Sequence, residues 1–294
     1  MKQKLSRYPA VILIAFLSVL ILTMGCERKN TTEVSFSDDP LSNEEIALSV
    51  AGSIGENTGG ALDQFGDALD LTGSEDMNAL GKVSDTENIA SHTAIYDSVS
   101  QTWIIHVIRE RGNPAGPHYA YFERTYNLQF LDLNGDPQKR WIVDGDTAYS
   151  VIFKIISGDG QHITPRLSQE LKAVSGNWLL TDTNLEMVAM NGSYYHAAVD
   201  TILIPRGTWI SDHALNLTFT DVVGPRGSRR DLSQKVSGIV SGTYTATLTI
   251  ITDDTTITKE IQRNIYIVLG SGELNIQVNG EQFRFDPETG DLKS

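Results

Sequence analysis

The chain of 294 residues contains one cysteine, Cys26. A single thiol cannot close an intramolecular disulfide or build a CxxC redox or metal site, so the fold must rest on its hydrophobic core. Positive charge is scarce too: 23 Lys and Arg against 37 Asp and Glu leave a formal charge of −14. Nucleic acid demands clustered cations, and this balance argues against that class of partner. No apolar run reaches the roughly 20 residues that a spanning helix needs. The common catalytic signatures are absent as well: there is no HExxH, no GxSxG elbow, no P-loop and no GxGxxG.

What is present begins at the N-terminus. Lys2, Lys4 and Arg7 precede an uncharged stretch from Tyr8 to Gly25, whose apolar part is AVILIAFLSVLILTM over 10–24. A charged n-region, a short apolar h-region and a small residue before the cut make an export signal. Leu22-Thr23-Met24-Gly25-Cys26 resembles the lipobox of bacterial lipoproteins, with Thr23 where the family prefers leucine. The resemblance implies cleavage after residue 25, lipid attachment at Cys26 with palmitate among its acyl chains, and anchoring to a membrane without spanning it. Two or more acyl chains hold stably where one is marginal. Glu27 follows in place of the aspartate that retains such proteins in the inner membrane of gram-negative cells. The expected location is therefore the cell envelope, at the outer membrane.

Without residues 1–25 the formal charge becomes −17, and residues 27–90 carry −11 of it. Residues 26–41 are polar and aperiodic, and read as a tether. Residues 42–91 form an acidic helical or partly disordered segment. Ser42 and Glu45 fit a capping box, and Ile46, Val50 and Ile54 repeat every four residues until Gly55 and Gly59-Gly60 break the pattern. Leu62, Phe65 and Leu69 continue a second amphipathic piece. A partner-binding or membrane-surface pair would need a basic polar face, which is missing. The expectation is two small helices on the main domain, or a partly disordered spacer.

From about residue 92 the period falls to two. Tyr244, Ala246, Leu248 and Ile250 alternate with threonines; Tyr149, Val151, Phe153 and Ile155 form a second such face, and Leu215, Leu217 and Phe219 a third. Asn279-Gly280 predicts a two-residue type I′ turn. That turn sets Ile276 opposite Phe283 and Leu274 opposite Phe285, with Gln277–Gln282 and Asn275–Arg284 on the other face. The fold class is mainly β: an antiparallel β-sandwich or open barrel over 92–294, as one domain or two subdomains. Residues 165–174 fit a short helix or a strand equally well.

Six histidines are dispersed: His92, His106, His118, His162, His196 and His213. None is paired at metal-ligand spacing, and His106, between Ile104 and Ile108, reads as a sheet residue. Asp132-Leu133-Asn134-Gly135-Asp136 starts like a calcium loop, but Pro137 replaces the turn glycine and Val143 stands at position 12. An Asn-Gly turn explains the same residues. Arg226, Arg229 and Arg230 in the 224–231 segment read as a solvated hairpin tip, with phosphate or carboxylate binding as the sharper alternative. Trp103, Trp141, Trp178 and Trp209 read as core rather than as a sugar-stacking platform. No cofactor and no catalytic residue is expected. The functional expectation is a non-enzymatic, lipid-anchored binding or scaffolding protein with an envelope protein or glycan as partner. Such a protein should carry an exposed apolar patch or a long unprotected strand edge. A carrier of an apolar ligand in a half-open barrel would instead need a continuous apolar cavity. A hydrolase would need histidine and carboxylate side chains meeting in a cleft.

Overall fold

The computed structural model describes residues 43–74, 76–78, 87–204, 207–227, 232–252 and 254–293. Cys26, the tether, Ser42, Arg229 and Arg230 lie outside these residues. Helices α1 (Asn43–Ile54) and α2 (Ala61–Thr72) come first, and a single turn, α3 (Leu232–Lys235), comes late. The strands are β1 (Glu87–Asp97), β2 (Thr102–Gly112), β3 (Tyr119–Leu131), β4 (Pro137–Gln138), β5 (Ile142–Val143), β6 (Asp146–Thr147) and β7 (Ser150–Ile163). They continue through β8 (Leu167–Thr181), β9 (Met187–Ile204), β10 (Gly207–Pro225), β11 (Ser237–Ile251), β12 (Thr256–Gly270), β13 (Glu273–Val278) and β14 (Glu281–Phe285). The first strand thus begins at Glu87, ahead of residue 92. Residues 165–174 resolve into strand, because Leu167, Gln169 and Leu171 alternate inward along β8.

Strand order in the main sheet is β1-β2-β3-β7-β8-β9-β10-β11-β12-β13-β14, with β4 beside β3, while β5 and β6 pair separately. Every pairing is antiparallel and follows the chain, so the sheet is an up-and-down meander. It is one continuous sheet and not a sandwich, and β1 and β14 do not close on each other. Register shifts interrupt β1–β2, β3–β7, β8–β9, β9–β10 and β10–β11. Such bulges bend long strands and increase their twist. The sheet accordingly curls: α1 packs against β8 and β9 on one side and against β13 and β14 on the other.

The concave face therefore encloses α1 and α2. The predicted stripe of Ile46, Val50 and Ile54 is buried, but so are Leu48, Ser49 and Ser53 on the remaining sides. A helix buried all round belongs to a core. The two helices are thus the centre of the β domain, not an attachment to its surface, and residues 41–294 form one compact unit. Gly59 (φ 75°) and Gly60 allow the tight connection; a Cβ at Gly60 would press against the backbone of Ser53 and Ile54.

The C-terminal hairpin has the register expected from its turn, with Leu274 opposite Phe285 and Ile276 opposite Phe283. Asn279 and Gly280 both have positive φ, 50° and 90°. Tyr244, Ala246, Leu248 and Ile250 all point into the core. Tyr149 departs from its expected face: it precedes β7 and is exposed, while Val151, Phe153 and Ile155 are buried.

Candidate functional site

Three arginines project from β2 and β3 in phase with the apolar residues of the concave face. Arg109 donates two hydrogen bonds to Asp67 of α2, at 2.9 and 2.6 Å, and both side chains are fully buried. Arg111 donates to Asp63 Oδ1 at 2.6 Å and to the Glu56 carbonyl at 2.6 Å. Arg124 donates to the Gly59 carbonyl at 3.0 Å. Helix α1 has no basic residue in its last turn. The Gly52 carbonyl in that turn accepts instead from Thr58 Oγ1 at 2.6 Å. Tyr126 donates to Asp67 at 2.8 Å, and Gln64 donates to Tyr194 at 3.0 Å. The helices are thus fixed in place by directional, charge-assisted bonds as well as by apolar contact.

A row of rings crosses the same face: Tyr126, Phe153, Trp178, Tyr194, His196, His213 and Tyr244, with successive centroids 4.8 to 6.2 Å apart. Here two of the dispersed histidines meet. His213 Nδ1 lies 3.4 Å from Asp200 Oδ2, both side chains being fully buried, without the alignment of a hydrogen bond. Gln169 donates to the other oxygen of Asp200 at 3.0 Å. Burial, with His213 and Arg124 adding to it, holds His196 well below the usual imidazole range. Burial also pushes the Tyr126, Tyr194 and Tyr244 phenols upward. This His–Asp cluster is sealed beneath α1, and among the described residues no group of three His, Cys, Asp or Glu could hold a metal ion.

One end of the curled sheet is open. There the α1–α2 turn, the β2–β3 hairpin, the end of β7 and the C-terminal turn surround a cavity of about 230 Å³. The helix turn is tied to the C-terminal turn by Glu56 N to Pro287 O and Asn57 N to Glu288 O, both 2.8 Å. Asn57, Arg111, His118, Tyr119, His162 and Asp291 are among the residues that line the cavity. His162 is 6% exposed, and burial, with the neighbouring His118, pushes its pKa down to about 4. His162 Nδ1 and Asn57 Oδ1 are buried without a hydrogen-bond partner among the described residues. Two histidines and one carboxylate therefore share this cavity, but no hydrogen bond joins them among the described residues.

The two sheet edges differ. At β14, Phe285 bridges to Leu292 and Lys293 N donates to Arg284 O at 2.8 Å, so the chain's own end caps that edge. At β1, one edge pairs with β2, and no backbone bond reaches the other among the described residues. Ile95 is 67% exposed and pairs with the exposed Ile104; Val99, at the adjoining turn, is 92% exposed.

The remaining sequence candidates have structural roles. His106 sits at 2.6 Å from Glu123 on the outer sheet face. The Asp132 carboxylate accepts the backbone N–H groups of Asn134 and Asp136, both at 2.8 Å, closing the turn. Arg226 donates to the Thr183 carbonyl at 3.0 Å and lies 4.7 Å over the Trp141 ring. Trp178 and Trp209 are buried; Trp103 is partly buried and donates to the Lys139 carbonyl at 2.7 Å. The buried arginines and their aspartates match no short sequence motif. Their sequence signal is real: Asp63 and Asp67 lie four apart in a helix with almost no exposed face, and Arg109 and Arg111 share the parity of Ile105 and Val107.

No protein-family model, curated protein or solved structure matches the chain, so function is argued from its own geometry.

Proposed function

We propose that the protein is a non-enzymatic binding or scaffolding module of the cell envelope, lipid-anchored at Cys26, that docks a partner strand along the outer edge of β1. The outer edge of β1, which no backbone bond reaches among the described residues, carries this reading. An edge strand presents a row of unpaired N–H and C=O groups, and proteins normally guard such edges with lysine, proline, bulges or a covering segment. Strand β1 contains no lysine and no proline, and its one register shift lies between Ile89 and Ser91. From Ser91 to Asp97 the strand is regular, with exposed Ile95 beside Ile104. Strand addition draws affinity from main-chain bonds and specificity from alternate side chains, and this edge offers both. The capped β14 edge does not. The carrier alternative is disfavoured because the concave face is filled by α1 and α2.

A photo-crosslinking side chain at Thr93, compared with one at Gln282 beside the capped edge, tests the docking edge in intact envelopes. A discrete crosslinked species is expected from position 93, lost in Ile95→Lys, and none from position 282. Equal crosslinking at both positions would reject the edge. For the anchor, palmitate is expected to label the wild-type protein and not Cys26→Ala.

A further inference from the structure

The cavity at the open end of the sheet has a chemistry that the docking edge does not use. Its walls come from four separate parts of the chain, and its floor holds His162, more than nine-tenths buried. Neutral imidazole offers one donor and one acceptor. Among the described residues His162 Nδ1 has no partner, and neither has Asn57 Oδ1, whose amide nitrogen is already engaged with Glu288 at 3.0 Å. Buried polar atoms in native structures nearly always find a partner. The Asp291 carboxylate, partly exposed in the wall, is a further acceptor. The unmet demand is therefore mainly for hydrogen-bond donors.

Charge narrows the ligand further. The Arg111 guanidinium in the wall is neutralised by Asp63 at 2.6 Å. An anion would face Asp291 and the Asn57 oxygen, and among the described residues of the lining the one arginine is already paired. A cation would give up its hydration for a single, partly exposed carboxylate, Asp291. A neutral molecule bearing several hydroxyls meets neither penalty, because each hydroxyl both donates and accepts. The rings of Tyr119 and His118, with Ala120 and Ile163, supply apolar surface for the C–H face of such a molecule. The volume of about 230 Å³ is below the ~300 Å³ at which pockets for drug-sized ligands begin. It suits one ring and not a chain of rings.

We propose that this cavity is a binding site for a single neutral sugar ring, free or at the end of a glycan, with Asp291 and Asn57 accepting from its hydroxyls and His162 closing the floor. The proposal is independent of the β1 edge. Glucose, galactose and N-acetylglucosamine would be titrated separately into the detergent-solubilised full-length protein. Saturation-transfer NMR and calorimetry would give the readout, with phosphate and choline as charged controls. At least one sugar is expected to bind with a Kd of about 1 mM or tighter. Asp291→Ala and the rim variant His118→Ala are each expected to weaken it by about tenfold, the size of one lost hydrogen bond to a charged group or one lost ring contact. Their thermal melts should match the wild type. If Asp291→Ala does not fold, His118→Ala decides. No binding of any of the three sugars at about 10 mM, unchanged affinity in the folded variants, or binding of phosphate or choline in place of sugar would overturn the proposal.

Discussion

At the scale of single residues, the buried charges set the terms. Arg109 and Asp67 are both fully buried and joined by two hydrogen bonds, and Tyr126 donates a further bond to the same carboxylate. Removing one member of such a pair leaves the other charged and desolvated, at a cost of about 3–5 kcal/mol. Asp67→Ala is therefore expected to lower stability by that amount in chemical denaturation. Joint replacement of Asp67 and Arg109 by leucine and methionine should recover much of the loss, because no orphan charge remains. Burial makes the charged form of His162 unfavourable. Its folded pKa, about 4, is below the ordinary value near 6.5, so the unfolded chain binds the extra proton. Stability is complete above about pH 6.5 and falls as pH drops toward 4, by roughly 3 kcal/mol from this group alone. His196 shifts in the same direction. Thermal melts between pH 7 and 4 should show this decline, and His162→Gln should flatten part of it. These residues were half legible in the sequence. The arginines and aspartates were visible in phase with apolar neighbours, but which cation meets which anion depends on a separation of more than 40 positions.

At the scale of elements, turns and alternation carried most of the information. Asn279-Gly280 fixed the β13–β14 register because a two-residue loop admits one pairing that keeps Leu274, Ile276, Phe283 and Phe285 on one face. Two glycines test how local such effects are. A Cβ at Gly280 would meet nothing within 4 Å, so Gly280→Ala costs only the strain of φ 90°, about 1 kcal/mol. A Cβ at Gly60 would collide with the backbone of α1. Gly60→Ala is expected to cost about 1–3 kcal/mol through packing that cannot relax. Paired urea titrations should rank Gly60→Ala as the more damaging. The helices were legible as helices from their four-residue apolar repeat. Their position was not: the same stripe describes a helix resting on a surface, and only the curl of the sheet buries its remaining sides.

At the scale of the whole molecule, one long meander wraps a two-helix centre, and each part depends on the other. The concave face presents Phe122, Phe153, Trp178, Tyr194 and Phe219, which α1 and α2 cover. A chain lacking residues 43–72 would expose that face together with Arg109, Arg111 and Arg124. It should aggregate or lose cooperative unfolding, read by size-exclusion chromatography and circular dichroism. A soluble, cooperatively melting product would show that the sheet does not need its helices. The local choices follow from the sequence alone: strand or helix, which face turns inward, and where the chain turns. These follow from period, turn chemistry and composition, which act over a few residues. The tertiary structure settled the rest: the sheet does not close, the helices fill it, β14 is capped while β1 has no second backbone partner among the described residues, and Asn57, His118, His162 and Asp291 border one cavity. Those outcomes depend on twist accumulated over eleven strands and on contacts between distant segments, and no short window of the sequence records either.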